Sequence, residues 1–250
     1  MIKGNFVKYP NLPVNDVNTV IASTADTASA EAIESLGITI LKSERNSLIQ
    51  GATASHADMI ALHLGKNKIA IDSGQTSLIC SLKALGFDIE FYEKLGGSYP
   101  QDCCLNNLVI GNDFICGKRS NMSVSEYINS RGFCIHPISQ GYVRCSTAVV
   151  AKDAVISADK SVLAVCKDIG IDCLPIPPGE IRLEGYDYGF IGGSCLKLNA
   201  NTLAFFGKVS ALSYFDSMRL FCKKHNVEIV ELGSGPVSDI GGALPIIENA

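Results

Sequence analysis

Five copies of one short pattern constrain the fold of this 250-residue chain more than any other feature. Each copy is a glycine or asparagine, an apolar residue, any residue and a second apolar residue, and the copies lie at 37–40, 86–89, 132–135, 170–173 and 226–229. Glycine and asparagine most readily adopt the left-handed backbone that ends a helix. Every copy therefore predicts the end of a helix followed by a strand.

Apolar residues at helical spacing precede these copies, as expected if each copy ends an amphipathic helix. The clearest sets, each on one face of a helix, are Leu78, Ile79, Leu82 and Leu85; Val162, Val165, Cys166 and Ile169; and Phe215, Met218, Phe221 and Cys222. Weaker sets are Ala32, Ile33 and Leu36, and Val124, Tyr127 and Ile128. We therefore predict one helix before each copy of the pattern.

Two apolar runs separated by a short polar turn precede each helix after the first. These pairs of runs are 59–64 with 68–71, 103–105 with 108–111, 147–150 with 154–157, and 195–198 with 202–206. Their turn residues and strand composition predict β-hairpins. The repeating unit is therefore a hairpin, a helix and a strand.

The chain begins and ends inside this unit. The run 19–22 lacks the first strand of its hairpin, and the run 243–247 supplies a matching strand. We therefore expect these two runs to pair, which would close a ring of five units without a free sheet edge. The alternative is an ordinary open α/β sheet in which the regular spacing is a coincidence.

The composition limits the number of domains and the kind of partner. With 47% apolar and 18% charged residues, the chain can bury a core large enough for one domain, which we expect to span residues 1–250. The net charge is -4, and no run of basic residues is longer than Lys223-Lys224. We therefore predict neither nucleic acid nor membrane as a partner, but a small molecule or a protein. The sequence leaves open whether the chain forms a homodimer.

Location and cofactor content follow from what the sequence lacks. No stretch resembles a signal peptide or the roughly 20 apolar residues of a membrane span, so we expect a cytoplasmic protein. The ten cysteines include no CxxC pair, and we expect thiols rather than disulfides or a zinc site. The glycine pairs are weak indications of phosphate binding. We therefore predict no metal and no cofactor.

Five such units in a closed fan resemble the pentein fold. This family includes arginine and agmatine deiminases, dimethylarginine dimethylaminohydrolase, glycine amidinotransferase and the ribosome anti-association factor. The resemblance implies a five-fold pseudosymmetric α/β propeller around a central pocket. The phrases GFIGGSC (189–195) and SDIGGALPI (238–246) also resemble an uncharacterised bacterial branch of this fold, which brings no function with it.

The resemblance points to particular residues in the segments that turn inward before each hairpin strand. His56 and Asp58 look like the His-x-Asp of the deiminases, in which histidine shuttles protons and the carboxylate holds guanidinium N–H groups. The segment Arg144-Cys145-Ser146-Thr147 looks like the one that carries the nucleophilic cysteine. Cys145, His56 and Asp58 are thus the candidate catalytic residues. Candidate substrate-binding residues near the same segments are Asp102, Arg144, Glu184, Asp187, Cys195 and Asp239.

The chemistry of guanidine cleavage asks for these residue types on independent grounds. The guanidinium carbon is a poor electrophile, so cleavage needs a strong soft nucleophile, a proton donor for the departing nitrogen and carboxylates that bind the cation. A thiolate, an imidazole and paired carboxylates supply the three. We expect Arg144 to lower the pKa of the adjacent Cys145 thiol.

One segment departs from the family pattern. In the hydrolases the nucleophile lies in a glycine-rich segment near the C-terminus, but here 239–245 contains no cysteine. One alternative is that the nucleophile has moved to another repeat, as Cys145 or Cys195 would allow. The other is that the pocket binds a ligand without cleaving it. A protein-binding ring is a third reading. Our leading hypothesis is a guanidine-modifying hydrolase, and the alternative is a non-catalytic pentein that binds a small ligand or a protein.

Overall fold

The structure, a computed structural model, describes residues 4–118 and 128–250, apart from the side chains at 91 and 92. Its strands are β1 (Asn5–Phe6), β2 (Val17–Ala22), β3 (Thr39–Lys42), β4 (Ala61–Gly65), β5 (Lys68–Asp72), β6 (Asp88–Glu93), β7 (Leu108–Ile110), β8 (Asp113–Gly117), β9 (Cys134–Ile138), β10 (Thr147–Ala151), β11 (Ala154–Ser157), β12 (Asp172–Pro175), β13 (Cys195–Asn199), β14 (Thr202–Phe206), β15 (Glu228–Leu232) and β16 (Ala243–Glu248). Among the described residues, the α-helices are α1 (Thr27–Ser35), α2 (Ala57–Ile60), α3 (Thr76–Ala84), α4 (Lys160–Asp168) and α5 (Phe215–Lys224).

Short helical segments complete the description. Single 3-10 turns occupy Ala52–Ser55, Gln101–Cys103, Gly192–Ser194 and Val209–Ala211. Residues 128–130 are helical, whereas Val124 and Tyr127 of the predicted third helix lie outside the described residues. Within the described ranges, every helix is too short or too polar to cross a bilayer.

Five small sheets form, one for each predicted unit. Four of them have the orders β4-β5-β6, β7-β8-β9, β10-β11-β12 and β13-β14-β15, and the fifth has the order β1-β16-β2-β3. In each sheet an antiparallel pair is extended by a parallel strand that follows a helix in the chain, for example β4 with β5 and then β6. The predicted unit of hairpin, helix and strand is confirmed for the described residues.

The two ends of the chain meet in one sheet, as the repeat predicts. Strand β16 pairs antiparallel with β2, with Leu244 opposite Ile21 and Pro245 opposite Val20. Strand β1 pairs antiparallel with β16 on the side away from β2, which the sequence did not indicate. The five sheets remain separate, and the described strands form no single closed sheet.

The helix ends occur at the recurring glycine or asparagine. Gly37, Gly86, Gly132 and Gly170 have φ between 77° and 83°, and Asn226 has φ 56°. A strand begins two residues after each of them. At the other end, Asp26 caps α1 by accepting a hydrogen bond from Ser29 N, and Asp159 caps α4 in the same way. Local chain chemistry therefore sets both ends of these helices.

One predicted hairpin was placed wrongly. We expected 103–105 to pair with 108–111 across Asn106-Asn107, but β7 pairs with β8 across Gly111 and the residue after it. Gly111 has φ 59°, which suits a tight turn. Asn106 is instead fully buried, and its amide is used in tertiary hydrogen bonds described below. The other three predicted hairpins are confirmed.

The apolar core lies between neighbouring sheets. Four of the five clusters of buried side chains draw on two sheets that follow one another in the chain, together with a helix. The cluster that contains Leu196 and Ala204 also contains Val20 and Ala243, so the last sheet packs on the first. The first two strands of each unit are mostly buried, whereas outer strands such as β3 and β15 are largely exposed.

Candidate active site

Cys145 lies in a tight turn that leads into β10. Ser146 N donates to Tyr142 O and Thr147 N to Arg144 O, which folds the segment back on itself. The Cys145 side chain is buried, and its Sγ lies 2.9 Å from Asp58 Oδ2 and 2.9 Å from Asn106 Nδ2. The thiol therefore contacts a carboxylate directly.

Asn106 fixes this turn and was missed as a site residue in the sequence. Its Nδ2 also donates to Asp58 O, its Oδ1 accepts from Cys145 N at 3.1 Å, and its main-chain oxygen accepts from Val143 N. One buried amide thus joins the segment of Asp58 to that of Cys145. The only signal was the Asn-Asn pair, which we interpreted as a hairpin turn.

His56 and Asp239 form the second part of the site. His56 immediately precedes α2, is 3% exposed, and its Nδ1 lies 3.7 Å from Asp239 Oδ1. Asp239 is fixed by hydrogen bonds from Phe190 N at 2.8 Å and Gly241 N at 2.9 Å. His56 Nδ1 and Asp58 Oδ1 have no hydrogen-bond partner among the described residues. Buried polar atoms in this state are available to a ligand.

Two glycines allow the backbone to lie directly against His56 and Asp239. A Cβ on Gly241 would lie 2.3 Å from the Cβ of His56, and Gly241 has φ 81°. A Cβ on Gly193 would lie 2.0 Å from Asp239 Oδ1. The pairs Gly192-Gly193 and Gly241-Gly242 therefore provide space for the histidine and the carboxylate.

A cavity of about 260 Å³ opens over these residues. Its lining combines polar, aromatic and aliphatic side chains, which are Thr53, His56, Met59, Tyr142, Cys145, Leu183, Tyr186, Asp187, Tyr188, Phe190 and Asp239. The rings of Tyr142 and Phe190 are stacked with centroids 6.2 Å apart, and Tyr188 meets Phe190 edge to face. Aromatic faces and carboxylates together favour a cation.

A larger and more polar cavity of about 710 Å³ adjoins the first one. Both are lined by His56 and Asp239, and the larger one also by Arg45, Arg182 and Glu184. The first cavity contains the thiol, and the second carries basic side chains. A ligand that spans both would pass His56 and Asp239.

Burial and the nearby carboxylates set the protonation of the site. Burial, and then the charge of Asp239, raises the pKa of Asp58 to about 7, although the hydrogen bond from Cys145 acts against this. Burial, and then the charges of Asp58 and Asp239, raises the pKa of the Cys145 thiol well above its ordinary value. Burial lowers the pKa of His56, which Asp239 partly offsets. At neutral pH the site therefore holds a thiol and a neutral imidazole.

Our expectation that Arg144 lowers the pKa of Cys145 was wrong. The Arg144 side chain turns away from the thiol and donates to Asn11 Oδ1, Thr147 O and Gly192 O. The largest influences on the thiol pKa are burial, the Asp58 carboxylate and the Asp239 carboxylate, and all three raise it.

The remaining candidates are spread around the two cavities. Asp187 is exposed on the rim of the Cys145 cavity, and Glu184 is exposed in the larger one. Asp102 is buried one residue away from the cavity, where its Oδ2 accepts from Tyr142 Oη at 3.0 Å. Arg144 and Cys195 line a different, small cavity. Cys145, His56, Asp187 and Asp239 are therefore brought to one cavity with Asp58 directly behind the thiol.

Comparison with known proteins gives a family and a fold. A family model described as "Family of unknown function (DUF6873)" matches residues 20–244. No curated protein matches the chain in sequence.

Solved structures of similar fold include an amidinotransferase, a DDAH and an agmatine deiminase. An amidinotransferase from Microseira wollei, of the saxitoxin biosynthetic pathway, is 10% identical with a TM-score of 0.59, covering 96% of this chain and 93% of its own. A mutant DDAH from Pseudomonas aeruginosa complexed with citrulline is 13% identical, with a TM-score of 0.54 and coverages of 91% and 96%. Agmatine deiminase from C. jejuni is 9% identical, with a TM-score of 0.54 and coverages of 96% and 96%. The resemblance to the pentein fold is confirmed.

Proposed function

The chain belongs to the Family of unknown function (DUF6873), and from its fold and the geometry around Cys145 we propose that it is a cysteine-dependent hydrolase of guanidino compounds. Cys145 is the proposed nucleophile. Asp58 is the base that accepts the thiol proton, and His56 is the base that activates water. Asp239, with Asp187 at the rim, binds the guanidinium group.

One observation carries the proposal: a thiol at the floor of an aromatic and acidic cavity lies 2.9 Å from a carboxylate. An ordinary aspartate is too weak a base to accept a thiol proton. The pKa of Asp58 is raised to about 7, which brings it closer to that of a thiol. The neighbouring solved structures of amidinotransferase and agmatine deiminase support the same reaction class.

A bound guanidinium ion would make the first step feasible. Its positive charge beside Asp58 and Asp239 offsets the two charges that raise the pKa of Cys145. The thiol proton moves to Asp58, and the thiolate forms a C–S bond with the guanidinium carbon. The C–N bond to the departing amine then breaks as that nitrogen takes the proton from Asp58. The carbon remains bound to Cys145 as a cationic S-amidino thioether.

Hydrolysis of this intermediate completes the cycle. His56 is neutral because burial lowers its pKa, so it can take a proton from water as the oxygen attacks the carbon. The C–S bond breaks, the sulphur recovers a proton, and a urea-type product leaves. The buried contact between His56 and Asp239 stabilises the imidazolium that forms in this step.

A binding protein without catalysis is the second candidate. It is favoured by the state of the thiol, because Cys145 is 3% exposed and burial raises its pKa. Unreactive buried cysteines share both properties. In that case the same cavity binds a small cation or part of a protein partner without cleaving it.

The architecture around the site is part of the proposal. We infer that residues 1–250 form one domain in which the five sheets are the blades of a five-fold pseudosymmetric propeller. The cyclic order of the five core clusters supports this arrangement, because each cluster joins successive sheets and one joins the last sheet to the first. The cavities of His56 and Cys145 then lie near the axis.

Selective labelling distinguishes the enzyme from the binder. A haloacetamidine resembles guanidine and alkylates a thiolate, so it should modify Cys145 faster than the other nine cysteines of the ten. Alkylguanidines should slow the labelling. Peptide mapping by mass spectrometry identifies the site. Slow labelling spread over several cysteines would contradict a nucleophilic role for Cys145.

Turnover provides the second readout. Wild-type protein should release ammonia or an amine from at least one member of a panel of guanidino compounds that includes agmatine. Cys145→Ser should reduce that rate by about 10³-fold or more while the ligand still binds. Cys195→Ser is the matched control, because Cys195 is equally buried but lines another cavity. If no compound in the panel is cleaved although alkylguanidines bind, the binding-protein candidate leads.

A further inference from the structure

Two cations are buried on the other side of the Cys145 turn. Arg144 and Lys197 are each 4% exposed. The three hydrogen-bond acceptors of Arg144 are neutral, namely Asn11 Oδ1, Thr147 O and Gly192 O. Among residues 4–118 and 128–250, neither cation forms an ion pair. Burying unpaired charge is costly.

Lys197 is the less satisfied of the two. Its Nζ has no hydrogen-bond partner within the described part of the chain. An ammonium group has three donors, so a buried one without acceptors is rare in native proteins. Burial lowers its pKa to about 8, and the charged form still predominates at pH 7. The site therefore presents a cation in need of an acceptor.

The nearby sulphur atoms do not supply the missing negative charge. Cys195 and Cys222 both influence the ammonium group. Burial raises the pKa of Cys195 to about 11 and that of Cys222 to about 12. Both are therefore neutral thiols at physiological pH, and a counter-charge must come from outside the described residues.

A small cavity lies between the two cations. Its lining is Asn11, Arg144, Val149, Cys195, Lys197, Leu203 and Pro245. Its volume is about 10 Å³, which is near the minimum for one particle the size of water. A halide ion is only slightly larger than water, and the flexible lysine stem can yield to it. Sulfate, phosphate and carboxylic acids do not fit.

We propose that this cavity is a binding site for one small monovalent anion, of which chloride is the physiological example, held between the Lys197 ammonium and the Arg144 guanidinium. Water could accept hydrogen bonds there but would leave the Lys197 charge uncompensated, since Arg144 alone of the two cations interacts with a carboxylate, that of Asp58. An anion would accept the hydrogen bonds and also compensate the Lys197 charge. The anion site lies at the base of the Cys145 turn, because Arg144 is adjacent to Cys145. Arg144 also donates to Gly192 O, in the segment that contacts Asp239, so the site adjoins the segments of both residues. The inference does not depend on the proposed hydrolase activity.

Bromide provides a direct test on the wild-type protein. Bromide replaces chloride in such sites and scatters anomalously, so crystals grown or soaked in sodium bromide should show an anomalous peak between Lys197 Nζ and Arg144. A cavity that contains only water, or nothing, after bromide exposure would overturn the proposal. Peaks found only at surface positions count as the same negative result.

Stability in solution provides the second test. A site-bound anion stabilises the folded state by mass action, so replacing sodium gluconate by sodium chloride at constant ionic strength should raise the unfolding midpoint of wild-type protein by about 2–4 °C. Lys197→Met removes the charge but keeps the apolar stem, and should abolish this rise. Lys152→Met, at an exposed lysine, should retain it. An equal chloride effect in all three proteins would show that the anion acts elsewhere. If Lys197→Met fails to fold, the bromide experiment decides.

Discussion

Adjacent residues Cys145 and Arg144 point into two opposite environments. On the Cys145 side lie Asp58 and Asp239 with His56, and on the Arg144 side lies Lys197 with only neutral acceptors. The chain has thus separated its buried acids from its buried bases by the thickness of one turn. An isolated thiol next to an arginine would be activated by it, but here burial, and then the charges of Asp58 and Asp239, raise the thiol pKa and keep it protonated.

This separation has a functional consequence. An acidic cavity without a resident cation attracts one from solution, and a basic cavity without an anion attracts an anion. The acidic side is open to a 260 Å³ cavity, whereas the basic side encloses about 10 Å³. A molecular cation on one side and a single ion on the other are the ligands that these sizes and charges favour.

The strongest test of the acidic side is removal of its buried charge. Asp239→Asn keeps the shape but loses the negative charge and places an amide opposite the Phe190 or Gly241 N–H. We expect affinity for alkylguanidines to fall about 30- to 100-fold, as for a buried hydrogen-bonded ion pair. Isothermal titration in the Cys145→Ser background measures binding without turnover.

A matched variant of the same residue type controls for charge alone. Asp187 lines the same cavity but is exposed, so Asp187→Asn should reduce affinity by only about 2- to 5-fold. If the two variants lose affinity equally, the buried carboxylate has no special role. If Asp239→Asn binds as wild type, the cation does not occupy the acidic side at all.

The next test asks whether the buried carboxylate of Asp58 lowers the free energy of unfolding. The pKa of Asp58 is about 7 in the folded protein against 3.8 for the free group, so the folded state binds the proton more tightly than the unfolded chain does. The contribution of Asp58 to the free energy of unfolding is therefore fully present below pH 3.8, and it is lost as the pH rises through about 7. Asp58→Asn carries no charge at any pH. Above pH 7 the variant should be more stable than wild type by on the order of 2 kcal/mol.

The pH dependence of that difference is the measurement. Urea unfolding of both proteins at pH 8 and pH 5 should show the advantage of Asp58→Asn shrinking at the lower pH. Asp187→Asn is the control and should show no such trend relative to wild type. An advantage that grows toward pH 5 would mean that Asp58 is stabilised as a carboxylate, and the charge separation described above would not hold.

The fold was largely predictable because the repeat recurs at the level of backbone chemistry. Gly86 and Asn226 end helices by the same left-handed conformation, and apolar spacing distinguishes helix from strand on either side. The pairing of β2 with β16 followed from counting half-units. The prediction of a hairpin at 103–111 was wrong because Asn106, a residue typical of turns, is used here for tertiary hydrogen bonds. A local sequence pattern does not distinguish an asparagine in a turn from one in a tertiary contact.

The site was predictable only in part for a related reason. His56, Asp58 and Cys145 were found by their resemblance to motifs, and the segments that carry them meet in the structure, where Cys145 Sγ contacts Asp58 Oδ2 and shares a cavity with His56. The direction of Arg144 and the support from Asn106 depend on side-chain packing between distant segments. The aromatic residues Tyr142, Tyr188 and Phe190 lack a periodic pattern in the sequence, and only the folded chain brings them together.

The smallest expected effect concerns the third carboxylate of the acidic side. Asp102 is buried, its Oδ2 accepts from Tyr142 Oη at 3.0 Å, and its Oδ1 has no partner among the described residues. Tyr142→Phe removes the single hydroxyl that satisfies Asp102 but keeps the ring stacked on Phe190. We expect a loss of about 1 kcal/mol in unfolding free energy, with alkylguanidine affinity unchanged within about 3-fold because the cavity wall is intact.

Tyr186→Phe is the control for that variant, because Tyr186 lines the same cavity but is 50% exposed, and its hydroxyl lies 3.4 Å from that of Thr53. Its loss should stay within about 0.5 kcal/mol, as is usual for an exposed hydroxyl. Chemical denaturation of wild type and both variants under one set of conditions compares them. Equal losses would mean that Asp102 is hydrated rather than dependent on Tyr142. A large loss of ligand affinity in Tyr142→Phe alone would instead make this hydroxyl a ligand contact and extend the acidic side by one more polar group.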